Sequence, residues 1–248
     1  MMGKLVKTFL KIFFRNWQAL FFVICLPLGI FLGSLLLGLK DIVRFDLPLP
    51  YYHFLLTGIC ALALMQTGIY TVTYSFVDYH RTSILKRLAV TPLTPGKFML
   101  AQVIGRYVIA LIQVGLLVGL GAVILKIPFH AFLLFVPITV FVGNTLFLAV
   151  GFLLASVAKD YEQAAPYTMI TGTILLLLGN AFFPIKNLPR PLLVIADYLP
   201  LKPLVSFFRL NILGLNQGQL VRDGLVLLGW LFVILMVARY VFAKKLYR

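Results

Sequence analysis

The chain has 248 residues, of which 62% are hydrophobic and only 12% charged, with a mean hydropathy of +1.03. A soluble domain carries about a quarter charged residues and about half apolar ones, and a globule of this size cannot hide so much apolar surface in one core. A soluble enzyme, a nucleic-acid-binding domain and a disordered chain are excluded, which leaves an integral membrane protein. Lys and Arg number 22 against 7 Asp and Glu, a net charge of +15. The basic residues stand at the ends of apolar stretches, where their partners are membrane lipids and no nucleic acid is expected.

In chain order, the first element is amphipathic. At about 100° per residue, Lys4, Lys7, Lys11 and Arg15 fall in one narrow arc of a helix. Leu5, Phe9, Ile12, Phe13 and Trp17 occupy the opposite side. The pattern predicts a helix lying in the inner interface, apolar face down. It is not read as a signal peptide, because the apolar run that follows exceeds an h-region of about 7–15 residues and no small-x-small site closes it.

Stretches without charge then cover residues 16–39, 47–77, 107–125, 127–158, 163–185 and 224–238. A spanning helix needs about 20 apolar residues, so six spans are expected, with Arg239 snorkelling near the end of the last. An even number puts both termini on one side. With the N-terminus inside, most Lys and Arg fall on inner segments, so both termini are expected in the cytoplasm and the chain in the cell (inner) membrane. Gly29 and Gly33 in the first span, and Gly115 and Gly119 in the third, have the GxxxG spacing that lets helices pack closely.

Two segments do not read as spans. The inner segment 78–97 begins as a short helix bearing Arg81, Lys86 and Arg87, with Ile84, Leu85 and Leu88 between them. Thr91-Pro92 ends it, since the residue before proline avoids the α region. Thr94-Pro95 then supplies an N-cap and a first-turn proline for the third span. The outer segment 183–222 holds five of the 13 prolines, Pro184, Pro189, Pro191, Pro200 and Pro203. Its apolar pieces are too short to cross, so broken helices that dip into the outer leaflet and return are expected.

Little in the chain points to chemistry. His53, His80 and His130 are scattered, with no HExxH, GxSxG or paired intramembrane carboxylate, so no catalytic or metal site is expected. Cys25 and Cys60 lie inside apolar runs and read as packing residues. The Gly96-Lys97 pair is followed by Phe98 and has no glycine five residues before it, so it is not a phosphate loop. All acidic residues lie at span ends or in loops, whereas an ion-coupled transporter usually keeps an ionisable group in the membrane.

Leu85 to Leu93, LKRLAVTPL, resembles the cytoplasmic loop between the second and third spans of ABC type-2 exporter permeases of the drug- and lipid-export group. The outer segment Phe182 to Arg209 is similar to their re-entrant stretch, with Phe183-Pro184, Leu188-Pro189, Leu199-Pro200 and a closing Arg209. Where that family usually has an acidic residue and Gly-Thr, this chain has Thr82, Ser83 and Ile84. The resemblance implies one permease domain over residues 1–248, all-α, with six transmembrane helices. To these it adds an N-terminal interfacial helix, a cytoplasmic coupling helix and an outer re-entrant hairpin before the last span.

It further implies that Arg81, Ile84, Leu85, Lys86, Arg87, Leu88, Thr91, Pro92 and Leu93 couple the chain to two separate ATPase subunits. Those subunits would bind ATP and Mg, and this chain would bind no cofactor. A second permease, as homodimer or heterodimer, would complete the path for an amphipathic substrate. The competing readings are an ATP-independent secondary transporter or channel, a lipid-directed membrane enzyme, and a transport-incompetent assembly partner.

Overall fold

The computed structural model describes residues 2–38, 50–82, 95–128, 131–158, 160–185, 188–215 and 219–246. Ile84, Leu85, Lys86, Arg87, Leu88, Thr91, Pro92 and Leu93 lie outside the described residues; Arg81 lies within them.

Helix α1 (Met2–Arg15) ends where Asn16 turns extended, at φ −89° and ψ 96°. The Asn16 side chain accepts from the Ala19 amide at 3.1 Å and so starts α2 (Trp17–Leu36). Within α2 the turn Phe21–Cys25 is π-helical, just ahead of Pro27. The helices α3 (Tyr51–Arg81) and α4 (Pro95–Leu125) follow, the latter beginning at the expected proline. Next comes α5 (Ala131–Val157), opened by the tighter 3₁₀ turn Ala131–Phe135. The Asp160 side chain caps α6 (Tyr161–Leu178) by accepting from the Gln163 amide at 2.9 Å.

Beyond α6 the chain breaks as its prolines require. Helices α7 (Arg190–Tyr198) and α8 (Leu201–Leu213) meet at 70°. The bend falls at Leu199, held extended at ψ 141° by the proline that follows it. Gly214, at φ 69°, closes α8 in the left-handed conformation that glycine tolerates best. The last helix is α9 (Leu220–Leu246).

Among the described residues, four helical segments are long and apolar enough to cross a membrane: Trp17–Leu36, Tyr51–Tyr79, Leu100–Leu125 and Ala131–Val157. The bent pair α7–α8 makes a fifth if it is one broken span. Helix α6 falls short of the same standard because it carries Glu162, Gln163 and Pro166 in its first two turns. The third apolar segment also starts earlier than charge counting places it, since α4 runs straight through Arg106.

Helix α3 is the centre of the bundle. Its spanning part is 83% buried, against 22% for α2 and 33% for α4, which makes the latter two peripheral. The main crossing is α3 on α5, where glycines remove the side chains that would hold the backbones apart. A Cβ on Gly151 would stand 2.5 Å from the Gly68 carbonyl oxygen, and a Cβ on Gly68 would stand 2.6 Å from the carbonyl carbon of Phe147. Thr73 Oγ1 donates to the Gly151 carbonyl at 3.1 Å across the same contact. The expected packing glycines behave differently. Among the described residues nothing lies within 4 Å of a Cβ built on Gly29, Gly33, Gly115 or Gly119, so no described helix packs closely on these pairs. They sit on the two peripheral helices, where spacing alone does not decide which face turns inward.

Candidate functional site

Three groups of side chains tie the helices of the bundle to one another. The first lies where α3 ends and α4 begins, on either side of residues 83–94. Phe9 of α1 meets Phe98 of α4 edge-on, with ring centroids 5.4 Å apart. Phe98 meets Tyr79 of α3 at 5.7 Å, Tyr79 meets Phe76 at 5.6 Å, and Phe76 meets Phe152 of α5 at 4.6 Å. Gln102 Nε2 donates to the Tyr79 hydroxyl at 2.8 Å and holds that ring in line. Edge-to-face pairs of this kind contribute about 0.5–1.5 kcal/mol each beyond their buried area.

Arg81 is anchored toward the other side. Its guanidinium lies 5.1 Å above the Tyr161 ring at the start of α6, and the Tyr161 hydroxyl donates to Asp78 Oδ1 at 3.2 Å. Burial first, then the neighbouring Asp78 carboxylate, raises the Tyr161 hydroxyl above its ordinary pKa, so it remains a donor. Of the residues expected to couple the chain to a partner, Arg81 is therefore tied into the bundle, and the others fall outside the described residues.

The second group is a polar seam on α3. Thr67, Thr71 and Ser75 recur one helical turn apart and meet two polar side chains of α4. Thr67 Oγ1 donates to Gln113 Oε1 at 3.0 Å, while Gln113 Nε2 donates to the Val23 carbonyl of α2. Pro27 has no N–H to give to that carbonyl four residues before it, so Gln113 replaces the missing helical donor. Lower on α4, Arg106 donates to Thr71 Oγ1, to the Thr71 carbonyl at 3.3 Å and to Ser75 Oγ at 3.0 Å.

The third group holds the proline-rich segment between α6 and α9. Arg209 of α8 is buried, with its guanidinium 4.1 Å above the Phe54 ring. Its Nη2 donates to the Asn180 carbonyl at 2.7 Å, and its Nη1 lies 2.9 Å from the Asn180 side-chain oxygen when that amide is oriented to match. Asn180 takes the left-handed φ of 55° that ends α6, and Ala181 packs against α3 at Gly58. On α8, Asn211 Nδ2 also donates to Thr139 Oγ1 of α5 at 2.6 Å. Leu199 and Pro200 form the bend, Leu188 and Pro189 precede α7, and Phe183 and Pro184 lie in the turn after α6 with Phe183 exposed.

The four basic residues of α1 are all exposed, and its Phe9 faces α4. Sequence reading missed Gln113, Arg106, Asn180 and the ring ladder. Two signals were present: Pro27 inside a span leaves an orphan carbonyl, and Gln113 stands deep in the otherwise apolar stretch 107–125. Among the described residues no group of His, Cys, Asp and Glu could hold a metal ion.

Comparison with known proteins agrees with this arrangement. The chain is 26% identical over 198 residues to the inner membrane transport permease YadH of Escherichia coli (strain K12), covering 79% of this chain and 74% of that protein. It is 24% identical over 201 residues to the putative transport permease YvfS of Bacillus subtilis (strain 168), covering 78% of each. It is also 25% identical over 186 residues to nodulation protein J of Rhizobium leguminosarum bv. viciae, covering 75% of this chain and 71% of that protein. Residues 3–213 match the ABC-2 type transporter family, and the chain belongs to that family as a membrane transport permease.

Proposed function

We propose that this chain is the transmembrane subunit of an ATP-driven exporter, in which separate ATPase subunits bind ATP and Mg and drive an amphipathic substrate outward. In this reading the chain crosses the membrane six times, α6 and α9 completing the count, with both termini in the cytoplasm. Residues 81–93 form a coupling helix on the ATPase, and two permeases surround the path. The open glycine pairs of α2 and α4 are free to meet that second permease.

The observation that carries the reading is the anchoring on both sides of residues 83–94. Arg81 is joined to α6 through Tyr161, and Phe98 is joined to α1, α3 and α5 through the ring ladder. A push on a segment held in this way reaches several spans instead of being absorbed at one hinge. The outer pair α7–α8, tied to the end of α6 by Arg209, would shape the exit. A stand-alone ion-coupled transporter is the other reading. Within the four strongly apolar segments the described acids are limited to Asp78, at the end of α3, so the usual intramembrane carboxylate is not among them.

The test is Leu88→Asp. A buried unpaired charge at the joint costs several kcal/mol, so the variant is expected to lose the ATPase on co-purification, or to lose substrate stimulation of ATP hydrolysis, while inserting normally. Unchanged association and unchanged stimulation in lipid would overturn the coupling assignment.

A further inference from the structure

We propose that Arg106, framed by Thr71 and Ser75, is a loading site for the anionic headgroup of an amphiphile drawn from the inner leaflet. The proposal rests on the exporter reading for its purpose, but its geometry stands alone. Arg106 lies six residues inside the apolar segment Leu100–Leu125, about 9 Å along the helix axis. Its partners on α3, Thr71 Oγ1, the Thr71 carbonyl and Ser75 Oγ, are all neutral. Among the described residues the ion pairs are those of Asp197 with Lys202 and Arg222, on the outer helices, and none reaches Arg106.

A simple clasp between α3 and α4 does not need a charge. Gln113 makes one on the same seam, joining Thr67 to Val23 with a neutral amide. A cation without a counter-charge in an apolar segment carries a desolvation cost that an amide avoids. Guanidinium has five N–H donors, of which the seam takes three, and Arg106 is only partly buried. The two donors left over, Nε–H and one on Nη1, suit an anionic phosphate or sulfate oxygen, which guanidinium binds through charge-assisted bonds.

The depth is also that of a headgroup. Gly105 lies against α1, where its Cβ would stand 3.6 Å from the Phe9 Cβ. Helix α1 exposes Lys4, Lys7, Lys11 and Arg15 and turns Phe9 to the bundle. A helix of this kind sits at the boundary between headgroups and acyl chains, which places Arg106 just beneath the inner-leaflet phosphates, within reach of a headgroup.

The experiment uses the full chain without any ATPase, in nanodiscs containing equal phosphatidylglycerol and phosphatidylcholine. Native mass spectrometry then counts the lipid that each variant retains. Wild type is expected to retain phosphatidylglycerol over phosphatidylcholine by about tenfold. Arg106→Gln should abolish the preference, and Arg106→Lys should keep it within about threefold, since the charge remains. A preference that survives Arg106→Gln belongs to the exposed lysines of α1 and overturns the proposal. Displacement of the lipid by millimolar inorganic phosphate would show that a free anion is the ligand, and would equally overturn it. Should Arg106→Gln fail to insert, wild type and Arg106→Lys still decide, because absence of preference in either is fatal. Failure here leaves ATP-driven export standing, whereas a silent Leu88→Asp variant removes export and leaves the lipid preference intact.

Discussion

Gln113 Nε2 donates to the Val23 carbonyl, joining α4 to α2 at a position where Pro27 leaves the helix without its own donor. The same side chain accepts from Thr67 Oγ1 at 3.0 Å, so a single amide fastens three helices. The π-helical turn Phe21–Cys25 thus sits beside its own repair.

Gln113→Leu keeps the volume and removes the bond. Two polar atoms, the Val23 carbonyl and the Thr67 hydroxyl, lose their shared partner, although the single Thr67 Oγ1 proton can turn wholly to the Ala63 carbonyl, 2.9 Å away. The expected loss is about 1–2 kcal/mol, read as a lower unfolding temperature of the purified permease in lipid. Gln113→Glu introduces a charge into the same apolar site and should be worse than leucine.

The α3–α5 crossing should be the least tolerant of added carbon. Gly151→Ala and Gly68→Ala each place a Cβ against backbone, which cannot give way as a side chain can. Overpacking of this kind costs about 1–3 kcal/mol. Gly115→Ala and Gly119→Ala meet open space and should leave the stability of the single permease unchanged. Unfolding of the four variants in parallel separates the two classes; an equal loss at Gly115 would show that its face is covered.

Orientation is tested by single cysteines at Lys97, Lys126, Arg190 and Lys244 after Cys25 and Cys60 have been replaced. An impermeant thiol reagent on intact cells is expected to label positions 126 and 190 and to spare 97 and 244. Labelling at 97 would invert the topology and move the coupling segment outside.

Much of the helical layout was legible because hydropathy and proline act locally. Thr94-Pro95 marked the start of α4, and Leu199-Pro200 marked the bend between α7 and α8. The site was less legible because its members come from different helices. Gly29 and Gly33 have the right spacing but lie on a face turned away from the bundle, whereas Gly68 finds its neighbours at Phe147 and Gly151, far along the chain. Arg106 misled boundary counting for a related reason: hydroxyls on α3 hold its guanidinium, and they cannot be assigned to it from the α4 sequence alone. The importance of Arg209 was visible through resemblance, but its partners, a backbone carbonyl and an aromatic face, leave no mark in charge patterning.

The ring ladder from Phe9 to Phe152 makes the permease a lever with few soft joints. A chain of lysines or methionines over the same distance would take up a displacement in rotamer changes, whereas each aromatic ring has only two side-chain torsions and is braced edge-on by the next. A shift of the α4 start at Phe98 therefore arrives at α5 with little loss. The first ring belongs to α1, so if α1 lies on the membrane as proposed, the membrane surface is coupled to the same lever. Lipid that changes how α1 lies would reset the resting position of the whole train before any partner acts on it.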